Sequence, residues 1–151
     1  TSVPLKSFIN GLTGITAETL KDAPPVEEVI KEFQEFVGSL PMVGYNAAKS
    51  DLPILAEHGL DYSQQYKVDL YDEAFERRSS DLHGIANLKL QTVASFLGFQ
   101  GQSHNSLEDA RMTARVYESF LESDQARELL GAESSLSNNP FGGLDLSQLF
   151  D

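Results

Sequence analysis

The chain has no cysteine, and it sets only 11 Lys and Arg against 23 Asp and Glu. The first absence excludes disulfides and thiolate metal sites, so any bound metal must sit on oxygen or imidazole. The second gives a formal net charge of −12 and excludes a broad basic face for gripping nucleic acid, because phosphate binding rests largely on Lys and Arg. Affinity for a polyanion would have to arise locally or through bound cations. Long hydrophobic runs are lacking too: none approaches the ~20 residues that span a bilayer, and the start Thr1-Ser2-Val3-Pro4-Leu5-Lys6 has no signal-peptide core. The expectation is a soluble, cytoplasmic protein.

At 151 residues and 40% hydrophobic content, one domain can bury a core without covalent staples. The negative charge is concentrated at the end. Residues 116–151 hold Glu118, Glu122, Asp124, Glu128, Glu133, Asp145 and Asp151 against the single base Arg127. From Gly131 the composition turns to Ser, Asn, Gly and Pro, which bury too little apolar surface to offset the entropy of ordering. The reading is therefore a folded part over residues 1–130 and a flexible acidic tail over 131–151.

Hydrophobic spacing organises the folded part. Val26, Val29, Ile30, Phe33, Phe36 and Val37 predict a helix over 25–37, opened by Asp22 and Pro24-Pro25 and closed by Gly38. A short buried strand is expected over 40–45, then a turn over 46–51 and a helix to about Glu57, stopped at Gly59. A second strand over 66–70 leads into a helix over 71–78, and the polar stretch 79–87 reads as loop. Leu90, Val93, Ala94 and Leu97 predict a helix ended by Gly98. A last long helix carries Leu107, Ala110, Ala114, Tyr117 and Leu121 in steps of three and four, and 123–130 adds a turn or two. Two strands alone make a poor sheet.

Three residues could carry chemistry, and each has an ordinary structural explanation. Ser106-Leu107-Glu108-Asp109 is a capping-box pattern, Ser50 or Asp51 ahead of Pro53 is a reasonable helix start, and His104 alone is most often a solvated loop histidine. Taken together they read differently. Two-metal phosphodiester hydrolysis needs anionic oxygen ligands such as Asp51 and Asp109, with a neutral imidazole in reach to take a water proton. A helix start also favours the ionised form of Asp109.

These residues resemble a known family. Tyr45-Asn46 followed by Lys49-Ser50-Asp51-Leu52-Pro53-Ile54-Leu55, and His104 with Asp109 five residues on and Ala110 after it, look like the second and third motifs of the DnaQ-like 3′→5′ exonucleases of the DEDDh type, the class of the DNA polymerase III epsilon-like exonuclease domain. The likeness extends to residues 8–16 and to Leu88-Lys89-Leu90-Gln91 with Leu97-Gly98, and runs in register over roughly residues 3–122. It implies a ribonuclease-H-like α/β fold, a mixed sheet flanked by helices. It makes Asp51 and Asp109 metal ligands, His104 the general base, and Mg²⁺ or Mn²⁺ the cofactor of a two-metal site. The implied reaction removes nucleoside monophosphates from single-stranded 3′ ends of DNA or RNA. Tyr45, Asn46 and Lys49 are the implied substrate contacts.

The departures from the family pattern are as informative. Family members open with a strand carrying Asp-x-Glu, and this chain has no Asp-x-Glu, so half of the acidic ligands are absent. The chain matches from just after the third strand of the family, which implies an N-terminally truncated fold in which helices dominate and the sheet is incomplete. Tyr45 stands where the family often has His, and Lys49-Ser50 replaces a commoner pairing ending in Phe. Asp69 resembles the Asp that begins a helix after a later strand, for which a capping role is expected. Lys49, Arg77, Arg78, Lys89 and Arg111 are the plausible phosphate contacts on an acidic body, although scattered bases on helices are usually just solvated. The C-terminal Leu144-Asp145-Leu146-Ser147-Gln148-Leu149-Phe150 resembles peptides that dock on a bacterial sliding clamp, with Gln148 late for that pattern. A second expectation follows: an inactive exonuclease-like module that binds a protein partner through its tail or surface.

Overall fold

Helix α1 (Ser7–Thr13) opens the computed structural model, which describes residues 6–100 and 105–137. Phe8, Ile9 and Leu12 stand at helical spacing here, but the segment is short and holds Gly11, and the sequence reading assigns it no helix. Gly14, with φ of 73°, stops it in the left-handed region that glycine enters without steric cost. Helix α2 (Val26–Val37) then follows Pro25, with Glu27 and Glu28 in its first turn where the helix dipole favours acids, and ends at Gly38. The structure thus places the helix expected over 25–37 within one residue. Its apolar stripe is only partly covered: Ile30 is buried, whereas Phe36 is 82% exposed.

Strand β1 (Met42–Gly44), helix α3 (Asp51–Glu57) and strand β2 (Lys67–Asp69) form one β-α-β unit. The strands are parallel, with Met42 opposite Lys67, Val43 opposite Val68 and Gly44 opposite Asp69. Parallel pairing needs a crossover connection, which α3 and its flanking loops provide. A side-chain clamp ties that connection to α2: Gln34 Nε2 donates to the Asp61 carbonyl at 2.6 Å, and the Asp61 N–H donates back to Gln34 Oε1 at 2.9 Å.

Asp69 begins helix α4 (Leu70–Glu76) by accepting the Tyr71 N–H on its side chain, the capping role expected for it. A 3₁₀ turn, Arg77–Ser79, ends α4 two residues earlier than the sequence predicts. The polar segment 79–87 is irregular, as expected, yet it seats Leu82 with no exposed surface. Helix α5 (Leu90–Phe96) buries Val93 and Ala94. Helix α6 (Ser106–Ser137) buries Met112 and Val116, and with Ile30, Leu52, Leu60, Leu70, Ala74 and Leu82 these residues make the core of the first of two compact units, residues 1–117.

The second unit, residues 118–151, begins inside α6. Arg127 Nη1 lies 2.9 Å from Asp124 Oδ1, while Leu129 and Leu130 are exposed. Composition places the start of the tail at Gly131, but the backbone stays helical to Ser137. Extending an existing helix costs no new nucleus, so Ala, Glu and Leu residues prolong it past a glycine. Among the described residues no helix is long and apolar enough to cross a membrane.

Candidate functional site

The carboxyl ends of β1 and β2 lie side by side, and the chain turns sharply beyond each. In open α/β sheets that is where ligands bind. After Gly44, the turn of Tyr45 to Ser50 delivers Asp51 as the first residue of α3. Asn46 takes φ of 56°, a left-handed conformation that Asn accepts more readily than most residues. Its N–H donates to Asp69 Oδ1 at 2.6 Å and the Ala48 N–H donates to Asp69 Oδ2 at 3.1 Å. The carboxylate that caps α4 therefore also holds the turn leading to α3.

Neither carboxylate expected to hold metal is used as a cap. Ser50 is the N-cap of α3 and makes no side-chain cap bond, its hydroxyl lying instead 2.8 Å from the Asn46 carbonyl and 2.6 Å from Asp51 Oδ2. At α6 the capping-box reading is corrected: Asn105 Oδ1 accepts the N–H groups of Leu107 at 3.1 Å and Glu108 at 3.2 Å, so Asn105 caps the helix and Ser106 lies inside it. The Asn105 amide oxygen reaches the second and third helical N–H groups directly, which leaves Asp109 without a capping partner to serve. Asp109 is half-buried in the first turn and presents acidic charge beside Glu108. His104 lies outside the described residues, as does the Leu144-to-Phe150 motif.

Tyr45, Tyr71 and Lys49 form a small layer next to this turn. The Tyr45 hydroxyl donates to the Leu88 carbonyl at 2.7 Å, and its ring meets Tyr71 edge-on with centroids 6.2 Å apart. Burial, helped by Tyr71 and the Asp69 charge, pushes the Tyr45 phenol well above the usual tyrosine range. Lys49 Nζ lies 5.9 Å over the Tyr71 ring, held by cation–π attraction yet exposed to solvent.

Arg77 departs from the sequence reading. Expected as a phosphate contact, it is buried, with Nη1 2.5 Å from Glu73 Oε2 and Nε 3.7 Å from Asp81 Oδ2. Its charge is consumed inside the fold. Arg78 and Lys89 are exposed, and Arg111 is exposed and paired with Glu108 at 2.5 Å. Sequence reasoning placed Ser50 only at a helix start and missed its contact with Asp51, and it missed the second role of Asp69 because that depends on the register that sets Gly44 opposite Asp69.

The model of the exonuclease family, RNase_T, matches residues 2–117. The chain belongs to the exonuclease family. Membership as a DnaQ-like exonuclease domain implies the ribonuclease-H-like α/β fold of that family, and the described residues are helix-rich with a two-stranded sheet. It is 32% identical over 121 residues to a PolC-type DNA polymerase III of Caldanaerobacter subterraneus, covering 80% of this chain. It is 30% identical over 119 residues to the DNA polymerase III epsilon subunit of Aquifex aeolicus, covering 76% of the chain, and 35% identical over 129 residues to a PolC-type polymerase of Streptococcus pneumoniae, covering 78%. The chain thus matches only 56% of the length of the Aquifex subunit and 8% of each of these PolC-type proteins.

Exonucleases of this family generally use divalent metals. Among the described residues no group of three or more His, Asp or Glu is placed to hold an ion by itself. The carboxylates of Asp51 and Asp109 are of the donor type that hard Mg²⁺ and Mn²⁺ take, and Mg²⁺ is ordinarily held by one or two carboxylates with phosphate and water completing the shell.

Proposed function

We propose that this domain is part of a DEDDh-type 3′→5′ exonuclease that releases nucleoside monophosphates from single-stranded 3′ ends of DNA or RNA in a replication setting. The observation that carries this reading is the family match over residues 2–117, which takes in Asp51, His104 and Asp109 in one span. The two-stranded sheet fits an exonuclease fold whose Asp-x-Glu strand is supplied from outside residues 1–151.

In this reading Asp51 and Asp109 hold Mg²⁺ or Mn²⁺, which when bound screens phosphate charge and acidifies water. His104 takes the proton of the attacking water as general base. Lys49 contributes local positive charge on an acidic body, and the Tyr45 ring offers a face for the terminal base, since its hydroxyl proton is committed to Leu88. Such a division of labour suits a protein whose net charge of −12 opposes broad electrostatic capture.

The decisive experiment incubates a 3′-labelled single strand and Mn²⁺ with this chain, alone and extended at its N-terminus by the Asp-x-Glu strands of the Aquifex subunit. Release of labelled nucleoside monophosphate by the extended form, lost in His104→Ala, is expected. Absence of release, or release unchanged in His104→Ala, overturns the mechanism and leaves a module that binds a partner.

A further inference from the structure

One carboxylate group, that of Asp69, takes three backbone N–H groups from two separate segments. Oδ1 accepts from Tyr71 at 3.1 Å and from Asn46 at 2.6 Å, while Oδ2 accepts from Ala48 at 3.1 Å. Capping α4 requires only the first of these. The other two come from the turn between β1 and α3, and that turn continues in hydrogen-bonding distance to Asp51: the Asn46 carbonyl lies 2.8 Å from Ser50 Oγ, which lies 2.6 Å from Asp51 Oδ2. A hydroxyl donates one proton, so Ser50 serves either the Asn46 carbonyl or Asp51 at any moment. Asp51 can therefore exchange this hydroxyl for a cation while Ser50 stays bonded to the turn.

We propose that Asp69 is a positioning residue for the Asp51 carboxylate, acting through Asn46 and Ser50. Its two oxygens fix the left-handed Asn46 and the Ala48 amide, and Ser50 passes that placement to Asp51. The proposal rests on the reading of Asp51 as a ligand to a divalent cation.

The Asp69→Asn variant separates positioning from capping, because Asn caps helices about as well as Asp, while the amide nitrogen that replaces one oxygen cannot accept the Ala48 N–H. The test follows amide hydrogen exchange at Asn46 and Ala48 in the isotope-labelled chain. It also follows paramagnetic broadening of the amide signals of residues 50–52 during titration with Mn²⁺ alone. Asp69→Asn is expected to stay folded, with an unfolding temperature lowered by a few degrees. It should exchange the Ala48 amide about 10- to 100-fold faster, because that amide loses its acceptor, and the Asn46 amide faster by a smaller factor, because the oxygen it keeps is no longer charged. It should also need roughly 10- to 100-fold more Mn²⁺ for half-maximal broadening, the usual effect of losing a group that orients a ligand. Ser50→Ala should raise the Mn²⁺ requirement without speeding exchange at Ala48. Unchanged exchange in Asp69→Asn overturns the tie to the turn. An unchanged Mn²⁺ titration in Asp69→Asn, with Asp51→Asn raising it, overturns positioning and leaves the ligand reading standing. An unchanged titration in Asp51→Asn removes the ligand reading itself and the proposal with it.

Discussion

Gly44 lies directly opposite Asp69 in the parallel register, and a Cβ added to Gly44 would run into the Cβ of Ala47. The last strand residue must be bare for the turn to fold back tightly enough to reach the Asp69 carboxylate. Gly44→Ala is therefore expected to cost about 1–3 kcal/mol, as overpacking of a close contact does. Ala47→Gly in the same chain should restore most of that loss. Thermal unfolding of the single and double variants measures both effects, and a double variant as unstable as the single would contradict the stated contact.

The hydrogen bond from Tyr45 to Leu88 gives a pH dependence with a definite sign. The folded phenol is held neutral above the ordinary tyrosine value of 10.0. Above that pH the unfolded chain loses a proton that the folded chain keeps, so the Tyr45 contribution to stability is constant below pH 10 and falls as pH rises further. Tyr45→Phe should lower stability by about 1 kcal/mol at neutral pH, since the half-buried Leu88 carbonyl loses its donor. The variant should also show a shallower decline in alkali. Phenolate absorbance followed together with circular dichroism tests this, because Tyr45 should ionise only as the fold is lost.

Arg77 is expected to matter for stability and to be silent in substrate binding. It is buried between Glu73 and Asp81, so Arg77→Ala strands two acids. The loss should be about 2 kcal/mol, less than the ~3–5 kcal/mol of a fully buried pair, because the Glu73 side chain is 41% exposed and regains water. Lys49→Ala should do the opposite, leaving the unfolding temperature nearly unchanged and weakening single-strand binding measured by fluorescence anisotropy.

Asn105, rather than Ser106, should control the start of α6. Asn105→Ala is expected to destabilise by about 1 kcal/mol and Ser106→Ala by less than ~0.5 kcal/mol. Chemical denaturation of the two variants decides between them, and equal effects would restore the capping-box assignment.

Amphipathic spacing made α2 and α5 legible, because a helix that buries one face must repeat its apolar residues every three or four positions. Asp69 as a helix start was equally legible, since a short carboxylate beside free N–H groups has one obvious use. Helix α1 was not, although Phe8, Ile9 and Leu12 share a helical face, because seven residues are too few for a clear period and include a glycine. The cap of α6 was misplaced by one residue, since Asn105 and Ser106 are both good cap formers and only backbone geometry chooses between them.

The sequence by itself determined the family, the zero-cysteine, acid-rich chemistry and the identity of the candidate ligands, all of which are local in the chain or carried by residue spacing. Tertiary structure alone decided that Arg77 is spent on Glu73 and Asp81. It also decided that Asp69 reaches across the sheet to the turn before Asp51. The physical reason is the strand register: a pairing of three residues brings Gly44 and Asp69 together across 25 positions of sequence, and no local pattern encodes which amides a carboxylate will meet there.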